Sequence, residues 1–292
     1  MFKHPDRQPV RTLFPIPSFF HRRIIPVLVR SLTAFLFLTI LQSIGCAIIH
    51  PPSSKEVFSL HDAGTVTAEI RNQWNKVSSF YTSGTVLMKD WKWESEADIL
   101  IAGVRDPFKI KIEITHSWGK PILHILIDND RLEALSFNEK RLYIGDFTSD
   151  ALSRFLPGSF FDRPLTWSVL RGYPHLLEYK RVEIREMNTI DLSDWKGNVV
   201  EIIELDPKSR LPERVYFPDH KLSLAFSGFM NNDGIYYASE VKVNSVHGGK
   251  DLIIKNRKMV FNKAVPEQIF RLEKIPGFET VFLKEIQDMK WE

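Results

Sequence analysis

Cysteine is almost absent from this sequence: Cys46 is the only one in 292 residues. A single thiol cannot close an intramolecular disulfide. The chain could therefore enter an oxidising compartment without forming one. A lone cysteine of this kind draws attention to its own position in the chain.

Basic runs are also missing after the first segment. Residues 1–45 hold six of the 39 Lys and Arg residues and one of the 36 Asp and Glu residues. The rest of the chain thus has 33 basic and 35 acidic residues, a net charge of −2. This balance, without a basic cluster, argues against nucleic acid as a partner.

Enzyme signatures are absent as well. The sequence has no Gly-x-Ser-x-Gly elbow, no His-Glu-x-x-His and no phosphate-binding glycine loop. His116, His124 and His220 are scattered, without a second ligand at metal-binding spacing. We therefore predict no enzymatic activity, catalytic residue, metal site or cofactor, although a Ser/His/Asp group assembled from distant segments stays possible on sequence alone.

No apolar run reaches the roughly 20 residues of a membrane-spanning helix. The uncharged stretch Ser31–Ile44 follows a basic segment and ends at Ser43-Ile44-Gly45, which resembles a bacterial lipobox before Cys46. We predict a lipoprotein signal peptide at 1–45, lipid attachment at Cys46 and a Pro- and Ser-rich tether at 46–61. The alternative is an uncleaved N-terminal anchor.

The remaining residues, 62–292, form the predicted folded domain. Val66, Ile70, Trp74 and Val77 repeat with helical spacing, and a period of two follows. Predicted strands include the alternating segments from Trp91 to Ile114, then Ile122–Asp128, Leu132–Phe137, Arg141–Gly145, Arg181–Met187, Val199–Leu205, Glu213–Pro218, Lys221–Phe229, Ile235–Val246 and Asp251–Phe261. Between them, Thr148–Pro174 has helical patterns. This organisation predicts a mainly β fold with a helical lid: one curved antiparallel sheet of about 11–12 strands.

Five segments carry a resemblance to LolB, the outer-membrane lipoprotein receptor family. They are Phe80–Val86, His116-Ser117-Trp118-Gly119, Phe155-Leu156-Pro157-Gly158, Arg163-Pro164-Leu165 and Leu170-Arg171-Gly172-Tyr173-Pro174. The resemblance implies an incomplete β-barrel of the LolA/LolB type, in which an apolar cavity receives the acyl chains of lipoproteins from a periplasmic LolA-like carrier.

The alternation of the sheet predicts the same apolar face independently. Its expected cavity-lining residues are Trp93, Ile99, Ile101, Phe108, Ile110, Ile112, Ile114, Phe155, Trp167 and Leu170. A dry face of this kind can bind an acyl chain, because each buried CH₂ contributes about 0.8 kcal/mol. The alternative is that the lid helices fill the face as an ordinary core.

We thus expect a lipid-anchored protein of the outer membrane, facing the periplasm, that binds acyl chains of lipoproteins or phospholipids and takes part in their transfer. In the LolB-like segment His116-Ser117-Trp118-Gly119, Trp118 occupies the position of the loop tip. It is a candidate contact with membrane or cargo. It could equally fold back onto the sheet. The rival function is a lipid-anchored structural or sensory module with a filled core and a protein partner.

Overall fold

A computed structural model describes residues 59–90, 93–157, 162–245 and 251–284. They belong to a single compact unit that spans 57–292. Cys46, the predicted signal peptide and most of the predicted tether lie outside the described residues, as does the side chain of Trp93.

The chain forms mainly strands. The helices are α1 (Leu60–Asn75), α2 (Ser149–Ser153) and α3 (Arg163–Arg171). The strands are β1 (Ser79–Asp90), β2 (Trp93–Val104), β3 (Lys109–Thr115), β4 (Pro121–Asp128), β5 (Arg131–Ser136), β6 (Arg141–Asp146), β7 (Arg181–Glu186), β8 (Thr189–Ser193), β9 (Val199–Leu205), β10 (Pro212–Phe217), β11 (Leu222–Asn232), β12 (Ile235–Ser245), β13 (Asp251–Phe261) and β14 (Glu279–Phe282). A short 3₁₀ turn lies at Glu267–Ile269.

All these strands belong to one sheet in the order β14-β6-β5-β4-β3-β2-β1-β13-β12-β11-β10-β9-β8-β7. Every neighbouring pair from β6 to β7 is antiparallel. The order has two free ends, so the sheet is open, and a sheet of this size has to curl. The predicted mainly β fold with one antiparallel sheet and a helical lid is confirmed.

Two details of the predicted sheet are wrong. It has 14 strands, because β8 and β14 escaped the pattern, and β14 pairs parallel to β6 at one edge. β8 has only five residues and follows β7 after the turn Met187-Asn188. β14 has four mostly exposed residues, so no apolar alternation marks it.

The helix boundaries follow from local chemistry. Ser59 caps α1 in a reciprocal capping box with Asp62. Thr148 caps α2, and Asp162 caps α3 by accepting a hydrogen bond from the backbone N–H of Leu165. These caps confirm the helices predicted before the sheet and within the 148–174 insertion.

Candidate functional site

The apolar face of the sheet gathers the predicted cavity residues into one core. Ile99, Ile101, Phe108, Ile110, Ile112, Ile114, Trp167 and Leu170 are buried in a single cluster, and Phe155 packs partly buried against it. The strands supply the five isoleucines, the turn before β3 supplies Phe108, and the helical insertion supplies the others. These residues therefore share one buried face, and their role in a cavity stays a prediction.

The helices lie closely on this face. The ring of Trp167 meets that of Phe80 edge-on, with ring centres 4.9 Å apart. The ring centres of Phe155 and Tyr143 are 5.3 Å apart. The space left between α2, α3 and the sheet, beside Ile112 and Leu252, is about 10 Å³. A void of that size holds at most one water. Among the described residues, this gap between the helices and the sheet is too small for an acyl chain.

The packing of α3 is nevertheless incomplete in its polar groups. Thr166 Oγ1, Trp167 Nε1 and both Nε and Nη1 of Arg171 are buried without a hydrogen-bond partner among the described residues. They are four of the seven such atoms found there. Each unsatisfied buried group costs about 1–3 kcal/mol. The closed position of α3 is therefore less favourable than its apolar contacts alone suggest.

Arg171 is the unusual member of this group. Its Nη2 donates to the carbonyl oxygen of Gln73 on α1 at 2.6 Å, and its guanidinium lies 4.8 Å from the ring centre of Tyr173. No described carboxylate forms an ion pair with it. Burial lowers the pKa of Arg171 to about 9, so the side chain stays cationic at neutral pH. Sequence reasoning quoted Arg171 only as part of the resembled motif.

The C-terminal end of α3 is fixed to the sheet. The backbone N–H of Ala238 donates to the carbonyl oxygen of Gly172 at 2.7 Å, and Asn256 Nδ2 donates to the carbonyl oxygen of Ala238. Gly172 has φ +74°, and a Cβ there would lie 3.0 Å from that Ala238 oxygen. Glycine is thus required at this attachment. The attachment makes Gly172 the natural pivot if α3 moves.

Two tryptophans stand out at one edge of the sheet. β3 and β8 are eight places apart in the antiparallel order. They therefore run in the same direction, and their C-terminal ends lie at the same end of the sheet's strands. The turns after them, 116–120 and 194–198, carry Trp118 and Trp195. We call these two turns, which lie at the same end of the strands, the loop edge. The strand order thus places both turns at the same end of their strands, eight strands apart.

Both rings point to solvent from ordered turns. Trp118 is 72% exposed and stacks on His116 with ring centres 4.2 Å apart. Trp195 is 73% exposed, with the Nζ of Lys196 4.9 Å from its ring. The side chain of Asp194 accepts backbone N–H groups of its own turn. Sequence reasoning placed Trp118 in a loop but missed Trp195, whose only signal is its position between polar turn residues.

The described histidines do not gather into a metal site. His124 lies half-buried on the other face of the sheet, edge-on to Phe137 at 4.9 Å, and burial lowers its pKa. Within the described ranges, no three His, Cys, Asp or Glu side chains are placed to hold a metal. None of the helices in the described part of the chain has the length and apolar character needed to span a bilayer.

Comparison with known proteins gives distant structural likenesses. The sequence matches no family model and no curated protein. A DUF1329 family protein from Desulfovibrio piger is similar at 11% identity, with 72% of this chain and 96% of that chain covered and a TM-score of 0.49.

Two further structures are similar at the same level. A LolA superfamily protein from Nitrosomonas europaea is similar at 12% identity, with 70% of this chain and 97% of that chain covered and a TM-score of 0.44. The Mycobacterium tuberculosis lipoprotein LppX is similar at 11% identity, with 71% of this chain and 99% of that chain covered and a TM-score of 0.31. Because these three TM-scores are below 0.5, the fold of this chain is defined by its own strand order and register.

Proposed function

We propose that the protein is a lipid-anchored, non-enzymatic carrier of the bacterial envelope. It binds acyl chains of lipoproteins or phospholipids between the concave sheet face and α3, and passes them to the outer membrane. The observation that carries this proposal is the set of unpartnered polar atoms on α3, which covers a largely apolar sheet face.

Helix α3 acts as a lid in this proposal. Rotation about the Gly172 attachment would release the buried atoms of Thr166, Trp167 and Arg171 to water or to a polar headgroup. An acyl chain would then replace the apolar side chains of the lid. Because each CH₂ contributes about 0.8 kcal/mol, a long chain can offset the contacts that α3 loses.

The N-terminal features complete the proposal. Cleavage before Cys46 and acylation would leave a folded domain on the tether 46–61, and the resemblance to LolB favours delivery from a periplasmic LolA-like carrier to the outer membrane. The loop edge fits this delivery step. Tryptophan rings favour the bilayer interface, and Lys120 and Lys196 beside them are attracted to anionic lipid.

A second function is favoured by a different observation. The closed lid leaves only about 10 Å³, which suits a structural or sensory module whose core stays filled and whose surface binds a protein. The two functions differ in one physical property. A carrier must open α3 without unfolding, whereas a filled core opens only when the whole domain unfolds.

A single introduced thiol can measure this opening, because residues 57–292 contain no cysteine. We would place it at Val169 on α3, with Val215 on β10 as the matched control; both valines are buried. Palmitate or a diacylated lipopeptide should speed maleimide labelling of Val169→Cys and leave Val215→Cys slow. Equal, slow labelling of both variants with and without lipid would reject the lid and support the filled module.

A further inference from the structure

The face of the sheet opposite the lid carries a second covering. Residues 263–278, here called the strap, run from the end of β13 to the start of β14 across the outer face. Phe270 of the strap is buried against Ala102 and Leu126. Lys111 Nζ donates to the carbonyl oxygens of Ile269 and Arg271 at 3.3 and 2.8 Å. The strap is therefore a fixed wall.

A groove of about 1080 Å³ lies between the strap and the sheet. Its apolar lining includes Tyr81, Leu100, Phe137, Val260, Leu272 and Ile275. Leu100 is 54% exposed although its neighbours on β2, Ile99 and Ile101, are buried on the other face. The volume is slightly above the range of about 300–1,000 Å³ that is typical of small-molecule sites. The sheet separates this groove from the lid and its core.

The groove also presents two unpaired cations. Lys258 and Arg271 line it, and neither side chain forms an ion pair with a described residue. By contrast, Arg257, next in sequence to Lys258, binds Asp98 at 2.8 Å. Of the two acidic residues in the lining, Glu113 pairs with Lys111, and Glu273 pairs with neither free cation. The free positive charge therefore exceeds the free negative charge.

We infer that this groove binds a single-chain anionic amphiphile. Its hydrocarbon chain would lie on Tyr81, Leu100 and Phe137, and its acidic head would meet Lys258 and Arg271. A charged head favours such a site because hydrogen bonds to an ionised group are about twice as strong as neutral ones. The head can be the carboxylate of a fatty acid or the phosphate of a lysophospholipid. This site is independent of the proposed lid function.

Protection of a thiol at Leu100 tests the inference at the site itself. We would label Leu100→Cys in residues 57–292 with a maleimide dye, and use Met230→Cys on β11, whose native side chain is 46% exposed, as the control. Palmitate or lysophosphatidylglycerol should slow labelling at Leu100→Cys and leave Met230→Cys unchanged. Protection by one amphiphile alone identifies the head, while no protection by either, or equal protection at both positions, overturns the site.

Charge reversal then tests the head contact. In the Leu100→Cys background, Lys258→Glu should raise the palmitate concentration needed for protection about tenfold, since a charge-assisted hydrogen bond is lost and a repulsion gained. Protection by cetyl alcohol, which has the same chain without the charge, should not change. Lys180→Glu, at an exposed lysine that immediately precedes β7, is the control. An unaltered palmitate response in Lys258→Glu would overturn the cationic head site.

Discussion

Arg171 is a cation enclosed in an apolar interior without a carboxylate partner. Among the described residues, its guanidinium donates one hydrogen bond, to the Gln73 carbonyl oxygen, and lies over Tyr173, while Nε and Nη1 have no partner. A packed core that evolved only for stability would gain by replacing it with an apolar side chain. Its presence is better explained if the closed state of α3 has to be only marginally stable.

We expect Arg171→Met to raise the free energy of unfolding by about 1–3 kcal/mol, because it removes an incompletely solvated buried charge. The same change should weaken palmitate binding beneath α3, since the lid then favours its closed position. Urea unfolding and the labelling rate of a Val169→Cys thiol measure the two effects. Arg105→Met is the control, because Arg105 also donates to an α1 carbonyl, that of Trp74, from a less buried position.

Destabilisation by Arg171→Met with unchanged lid opening would contradict this explanation. It would mean that the Gln73 contact outweighs the burial of the charge. Arg171 would then be a structural residue of a filled core, as the rival function requires.

Glu201, on β9, is a fully buried carboxyl group. Its Oε2 accepts the backbone N–H of Leu177 at 2.8 Å, and Oε1 has no partner among the described residues. Burial raises the pKa of Glu201 to about 8, despite the lowering effect of the Leu177 hydrogen bond. The folded protein thus holds a proton on Glu201 at neutral pH that the unfolded chain releases.

The raised pKa makes stability depend on pH in a defined direction. Below the ordinary glutamate pKa of 4.5, Glu201 is protonated in both the folded and the unfolded state. Its contribution to the free energy of unfolding is therefore fully present there. It is lost as the pH rises towards 8, by up to about 1.4 kcal/mol per pH unit. In Glu201→Gln this loss should vanish, so its free energy of unfolding should exceed that of the parent increasingly from pH 5 to 8. Parallel pH profiles would show that Glu201 is ionised in the fold.

The helical insertion shows how far the sequence could predict the elements. Pro164 and the apolar spacing gave α3, and the alternation of Ile110 and Ile112 gave the face that it covers. These patterns record which side of an element is apolar. They do not record how much space two apolar surfaces leave between them, because that depends on the shapes of side chains from distant segments. Sequence reasoning therefore left a cavity and a filled face as alternatives, and it did not predict the inward position of Arg171.

The strap illustrates the same limit on the outer face. Its sequence, 263–278, has no periodicity, so nothing indicated that it would cross the sheet. It is fixed by Lys111, which alternation places on the polar face, and by Phe270. A lysine assigned to solvent instead donates to two backbone carbonyls of a distant segment. Contacts of this kind depend on tertiary structure alone.

At the scale of the whole molecule, one open sheet separates two coverings with different properties. The lid helices close over a dry face, while the strap leaves a groove with free cations on the other. The loop edge adds a third surface, where Trp118 and Trp195 project from turns at the same end of the sheet. Only the strand order places these two turns at the same end of the sheet's strands. The sequence alone therefore gave no sign that Trp118 and Trp195 belong to one surface.

The loop edge should be the part of the domain that touches a bilayer. Trp118→Ala and Trp195→Ala should each leave the free energy of unfolding within about 0.5 kcal/mol, because both rings are exposed. Each change should weaken binding of residues 57–292 to anionic vesicles by about tenfold, near the lower limit for burying a large apolar side chain. Vesicle co-sedimentation at several salt concentrations, with urea unfolding in parallel, measures both quantities.

Met187→Ala provides the matched control for this edge. Met187 is 54% exposed in the turn between β7 and β8, and since β7 and β8 are antiparallel neighbours, that turn lies at the opposite edge of the sheet. Its loss should not alter vesicle binding. If Met187→Ala weakens binding as much as the tryptophan changes do, the attraction to lipid is a general property of exposed apolar residues. If all three variants bind like the parent, the domain reaches the bilayer through its anchor alone, and Trp118 and Trp195 have no part in delivery.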